Sequence, residues 1–165
     1  MVRLSLFSTL LVVGFHVSAA NAPHKAEHGD AGAGKAKTAM CMACHGADGN
    51  SAMGTFPKLA GQNEKYLFKQ MQDVKSGARK IAMMTGMLSA FSDQDLRDIA
   101  AYYAAQEGSV GTAKPDLVEK GESIYRAGIA SKSVAACTAC HAPQGEGNPL
   151  AGFPKLSGQH AQYIA

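Results

Sequence analysis

Two five-residue stretches carry the reactive side chains of this 165-residue chain: Cys41-Met-Ala-Cys-His45 and Cys137-Thr-Ala-Cys-His141. They hold all four cysteines. C-x-x-C-H is the signature of covalent c-type haem attachment. Thiols three residues apart on one helical turn reach both vinyl groups on one porphyrin edge, and the next residue turns its imidazole to the iron as an axial ligand. The spacing assigns covalent attachment to Cys41, Cys44, Cys137 and Cys140, and axial ligation to His45 and His141.

Other chemistries fit less well. A redox dithiol C-x-x-C accompanies a βαβ pattern, and β-branched alternation is scarce here. A four-cysteine zinc site leaves the histidine after each pair unexplained, and the gap between pairs is too long for a ribbon or finger. A disulfide within C-x-x-C closes a short, strained loop.

The elements around the two motifs repeat as well. Phe56–Leu67 (FPKLAGQNEKYL) matches Phe153–Ile164 (FPKLSGQHAQYI) at seven of twelve positions, offset by 97 residues, against 96 for the cysteines. Self-similarity at this period implies two related domains rather than solenoid units. Helical patterns dominate and the fold class is all-α. An Ala/Lys-rich helix over 31–41 leads into the first motif. Asn63–Lys75 carries Leu67, Met71 and Val74 on one face. Ser92 with Asp95 forms a capping box before Leu96, Ile99, Ala100 and Tyr103. Asp116 with Glu119 forms a second, opening a helix that ends near Gly128. The stretch 77–91 reads as a loop carrying Met83, Met84 and Met87. The expected organisation is a signal peptide (1–20), a first haem domain (21–107), a linker (108–115) and a second haem domain (116–165).

Aromatic content of 7% and charged content of 18% leave few side chains with which to fill two small cores. Two bound porphyrins would supply that core. The formal charge of +3 is spread among mixed signs without a Lys/Arg cluster, which excludes a nucleic-acid footprint. Two haems with ionised propionates nearly cancel it. Arg3, the apolar run Leu4–Phe15 and Ser18-Ala19-Ala20 form a secretory signal peptide cleaved after Ala20, with cleavage after Ala22 as the alternative. The run is short of the ~20 residues a membrane span needs. The expected location is the periplasm.

The first iron's sixth ligand is a methionine by the usual rule for electron-carrying haems. Met53 is too close to the motif and Met71 sits on a helix face as core filler. Spacing leaves Met83, Met84 and Met87 open.

Both C-x-x-C-H motifs, both FPKL-x-GQ-x-x-x-Y segments, RKIAMMTGML and FSDQDLRDIAAYY together resemble the di-haem cytochrome c4 family, from about Gly32 onward. The resemblance implies two tandem class I cytochrome c domains with two covalently bound c-type haems. It places the ligand role on Met84. It implies that the carbonyls of Pro57 and Pro154 accept a hydrogen bond from Nδ1 of each axial histidine. It also implies an electron carrier rather than an enzyme. Its partners would be an upstream donor and a terminal oxidase, with association at the membrane surface. The alternatives are a di-haem peroxidase and a cytochrome subunit of a larger oxidoreductase complex. No methionine follows Met87, and the His45–Met84 separation carried to His141 runs past Ala165, so the second domain is expected to lack its C-terminal part. His160, the remaining strong-field candidate there, is expected as a solvent-facing or packing residue.

Overall fold

The computed structural model describes residues 28–165. The expected signal peptide and its cleavage sites lie outside the described residues. Among the described residues seven helices follow in order: α1 (Ala31–Lys35), α2 (Met42–His45), α3 (Glu64–Ser76), α4 (Asp93–Ala104), α5 (Pro115–Ala127), α6 (Thr138–His141) and α7 (Ala161–Ile164). Single 3-10 turns occupy Ala82–Met84 and Ala130–Lys132. Among the described residues the only β features are isolated bridges, Ile129 with Val134 and Asn148 with Phe153. The fold is all-α, as expected.

The first repeat is built around α4. Its entry is the capping box read from the sequence: the Asp95 N–H donates to Ser92 Oγ and the Ser92 N–H to Asp95 Oδ2. Leu96, Ile99, Ala100 and Tyr103, at helical spacing, are all buried. Ile99, Ala100, Tyr102 and Tyr103 pack with Leu67 of α3, and Phe68, Met71, Leu59 and Cys41 close around them. Gly77, in the left-handed region, ends α3.

The crossing of α1 over α4 holds a buried carboxylate. Asp98 accepts from the Asp30 N–H (2.9 Å), Lys37 Nζ (2.6 Å) and Gln94 Nε2 (2.9 Å). Burial opposes its charge, but these donors outweigh that penalty and hold the carboxyl below the usual range.

Three sequence expectations change. The helix over 31–41 is a single turn, α1, after which Thr38 Oγ1 donates to the Lys35 carbonyl and the chain turns into α2. Gly32 and Gly34 weaken continuation of the helix. Asp116 and Glu119 make no capping box. α5 begins two residues earlier than that cap requires, with Lys114 at the N-cap and Pro115 at the first helical position. Proline has its φ preset for that position and no N–H to satisfy. The methionine loop contains the 3-10 turn Ala82–Met84.

No residue of α5, α6 or α7 is buried. Among the described residues no helix packs on α5 as α4 packs on α1.

Candidate haem site

Each C-x-x-C-H motif folds as one helical turn. Cys41 precedes α2 and Cys137 precedes α6, and the histidine N–H closes the turn on the first cysteine's carbonyl, at 3.0 Å for His45 and 2.9 Å for His141. The four thiols form no disulfide. Among the described residues no three His, Cys, Asp or Glu side chains converge as a metal cluster, so the fold does not assemble a four-cysteine zinc site.

The histidines are held alike. His45 Nδ1 lies 2.9 Å from the Pro57 carbonyl oxygen, and His141 Nδ1 lies 2.9 Å from that of Pro154. A carbonyl only accepts, so each Nδ1 carries the proton and each Nε2 keeps its lone pair for a metal. Phe56 stands edge-on to His45 at 6.4 Å and Phe153 edge-on to His141 at 6.1 Å. Each ring is fixed in tautomer and rotation by its own repeat.

Above His45 opens a cleft of about 1450 Å³, mouth included. Cys41 and Cys44 lie on its wall, and Leu67, Met71, Val74, Leu88 and Ile99 make much of its lining apolar. Met83, Met84 and Met87 all line it, which places the whole candidate set at the cleft. Met84 is half-buried, whereas Met83 and Met87 are exposed. Met53 is exposed and Met71 packs on the core. The Tyr103 hydroxyl, in the cleft wall, is buried without a hydrogen-bond partner among the described residues. A large, flat, mainly apolar group with an edge for two thiols and a metal for one imidazole suits this cleft. The residues present fit a c-type haem.

The cleft is shared between the repeats. Pro154, Lys155, Leu156, Gln159, Tyr163 and Ile164 complete its wall. Arg79 spans it, donating to Gln70 Oε1 (2.7 Å) and to Tyr163 Oη (2.8 Å). Burial pushes the Tyr66 phenol up. His160 is half-buried rather than solvent-facing. Its Nε2 lies 2.9 Å from the Ser51 carbonyl, so that nitrogen is a donor there and packs the two repeats together.

Sequence reasoning on haem chemistry passed over Lys58, Gln62, Tyr66 and their counterparts Lys155, Gln159 and Tyr163. The signal was present: all are identical in the two copies of the segment, yet none is needed to attach a porphyrin.

The sequence model of the cytochrome c family matches residues 29–105. Cytochrome c4 of Azotobacter vinelandii is 58% identical over 146 residues, covering 83% of this chain and 70% of that protein. Cytochrome c4 of Pseudomonas aeruginosa is 59% identical over 137 residues, covering 83% and 68%. The crystal structure of reduced recombinant cytochrome c4 from Pseudomonas stutzeri superposes with a TM-score of 0.80 at 58% identity, over 82% of this chain and 76% of that one. These likenesses leave no place for the peroxidase alternative. The chain belongs to the cytochrome c4 family of di-haem c-type cytochromes, which transfer electrons and are not enzymes.

Proposed function

We propose that this chain is a periplasmic carrier that takes electrons from an upstream donor and delivers them to a terminal oxidase at the membrane surface. In this reading residues 1–20 are a cleaved export signal, residues 21–107 and 116–165 are two haem domains, and 108–115 join them. Cys41 and Cys44 would hold one haem by thioethers, with His45 and Met84 as the ligands to its iron. Cys137 and Cys140 would hold the other, with His141 as a ligand to its iron. The observation that carries the reading is the repeated placement of His45 on Pro57 and His141 on Pro154, each Nε2 left free.

A haem bound at each motif supplies a one-electron couple. The protein's part is to hold the ligands still. The Pro57 and Pro154 carbonyls fix the imidazoles, and a rigid ligand set keeps reorganisation small. The apolar cleft excludes water from the redox centre. The exposed thioethers of Met83 (63% exposed) and Met87 (38%) rim that cleft and form an apolar surface for a partner.

Periplasmic extracts of expressing cells test the location, with a mature chain beginning at Asn21 and a mass raised by two haems as the expected result. Reduced holoprotein mixed with oxidase-containing membranes tests the partner. Cyanide-sensitive reoxidation at a saturable rate is expected, and reoxidation no faster than in buffer would remove the oxidase from the reading.

A further inference from the structure

The two repeats meet through a pair of mirrored clasps. The Gln159 side chain grips the Lys58 backbone: the Lys58 N–H donates to Gln159 Oε1 at 2.9 Å and Gln159 Nε2 donates to the Lys58 carbonyl at 2.9 Å. Its counterpart Gln62 grips Lys155 the same way, with the Lys155 N–H donating to Gln62 Oε1 at 2.8 Å and Gln62 Nε2 to the Lys155 carbonyl at 2.9 Å. Each Oε1 also accepts the next backbone N–H of its own chain segment, His160 for Gln159 and Asn63 for Gln62. Gln62 is buried and Gln159 half-buried.

The gripped N–H groups belong to particular peptide units. The Lys58 N–H and the Pro57 carbonyl are the two ends of one peptide, and that carbonyl accepts from His45 Nδ1. The Lys155 N–H and the Pro154 carbonyl are likewise one peptide, and that carbonyl accepts from His141 Nδ1. A chain of hydrogen bonds therefore runs from Gln159 through a peptide to His45, and another from Gln62 through a peptide to His141. An acceptor on the N–H end of a peptide draws density toward its oxygen and makes that oxygen a stronger acceptor. The imidazole beyond it gains electron density and becomes a stronger donor to iron, favouring the ferric state.

We propose that Gln62 and Gln159 are positioning residues acting across the repeat interface, each tuning the iron ligand of the other repeat: Gln159 lowers the potential of the His45 haem, and Gln62 that of the His141 haem. The proposal rests on His45 and His141 being axial ligands.

The test uses full-length holoprotein and a redox titration that resolves the two haems, each assigned by NMR of its own histidine ring. Wild-type spectra first establish histidine ligation at both irons. Gln159→Leu is expected to raise the potential of the His45 haem more than that of the His141 haem. Gln62→Leu is expected to reverse the pattern. Gln159→Glu restores an acceptor for the Lys58 N–H and is expected to bring the His45 haem back to or below its wild-type potential. The Nδ1 proton resonance of His45 should move with Gln159 and that of His141 with Gln62. Intact histidine ligation with equal shifts at both haems, or with no shift, would overturn the clasp proposal alone. Absence of histidine ligation in the wild type would overturn the axial reading and the clasp with it. Should Gln62→Leu fail to fold, the Gln159 pair decides the matter by the same criterion.

Discussion

Gly34 of α1 lies so close to Asp98 of α4 that a Cβ on it would stand 1.9 Å from the Asp98 carbonyl oxygen and 2.9 Å from the Tyr102 Cβ. The absence of a side chain is what lets the two helices touch backbone to backbone. Gly34→Ala must push α1 away from α4, and rigid backbone cannot yield cheaply. A loss of about 2–3 kcal/mol is expected from overpacking at this contact. Gly32→Ala, whose nearest obstacle is the Asp30 side chain at 3.2 Å, should be near neutral. Denaturant unfolding of the two variants, read at equal haem content, checks the contrast.

The same crossing gives a pH dependence. Asp98 holds its carboxyl below the ordinary value, its three donors outweighing burial. A depressed folded pKa means the stabilisation is present above about pH 4, where the unfolded carboxyl is ionised, and is lost as pH falls through the folded value. Unfolding midpoints measured from pH 6 downward should therefore drop below about pH 4 in the wild type, and more shallowly in Asp98→Asn. Asp98→Ala, which strands the Asp30 N–H and leaves Lys37 paired with Asp95 alone, is expected to cost roughly 1–3 kcal/mol at neutral pH.

Of the three methionines in the 77–91 loop, Met84 is the one withdrawn from solvent. Met84→Ala is expected to open the first iron's sixth position, so that the ferrous protein gains carbon monoxide binding at the His45 haem over the wild type and that haem's potential falls, since a thioether ligand raises it. Met83→Ala and Met87→Ala should keep a closed site. Carbon monoxide binding to Met83→Ala or Met87→Ala, with none to Met84→Ala, would move the ligand role to that neighbour.

The residue after each haem motif has positive φ. In the first repeat it is Gly46 (φ 83°, ψ 158°); in the second it is Ala142 (φ 63°, ψ 166°). Glycine alone occupies that region without strain, which costs roughly 1–3 kcal/mol for other residues. Glycine's extra unfolded-state freedom returns about 0.5–1 kcal/mol of this. Ala142→Gly is expected to stabilise the holoprotein by about 1 kcal/mol, visible as a raised unfolding midpoint with unchanged haem spectra.

Much of this was legible in the sequence because it is local. The C-x-x-C-H turn, the Ser92–Asp95 cap and the face Leu96–Ile99–Ala100–Tyr103 depend on residues within two turns of one another, and the structure has them as read. The Asp116–Glu119 cap was misread because Pro115, one residue earlier, starts the helix without needing a side-chain acceptor. Spacing could not separate Met83, Met84 and Met87, because a loop has no periodicity to assign direction.

The chain's own covalent order determined the two C-x-x-C-H motifs, the proline that follows each at a fixed distance and the helical character throughout. Only the tertiary structure decided what crosses between the copies. Gln159 lies 101 residues from Lys58 and Gln62 lies 93 from Lys155, and no pattern along one strand of sequence states that they exchange hydrogen bonds. The repeat marked those glutamines as identical without giving a reason. The reason is spatial: two backbone segments, each carrying a half-buried peptide beside a motif histidine, satisfy their donors and acceptors on each other.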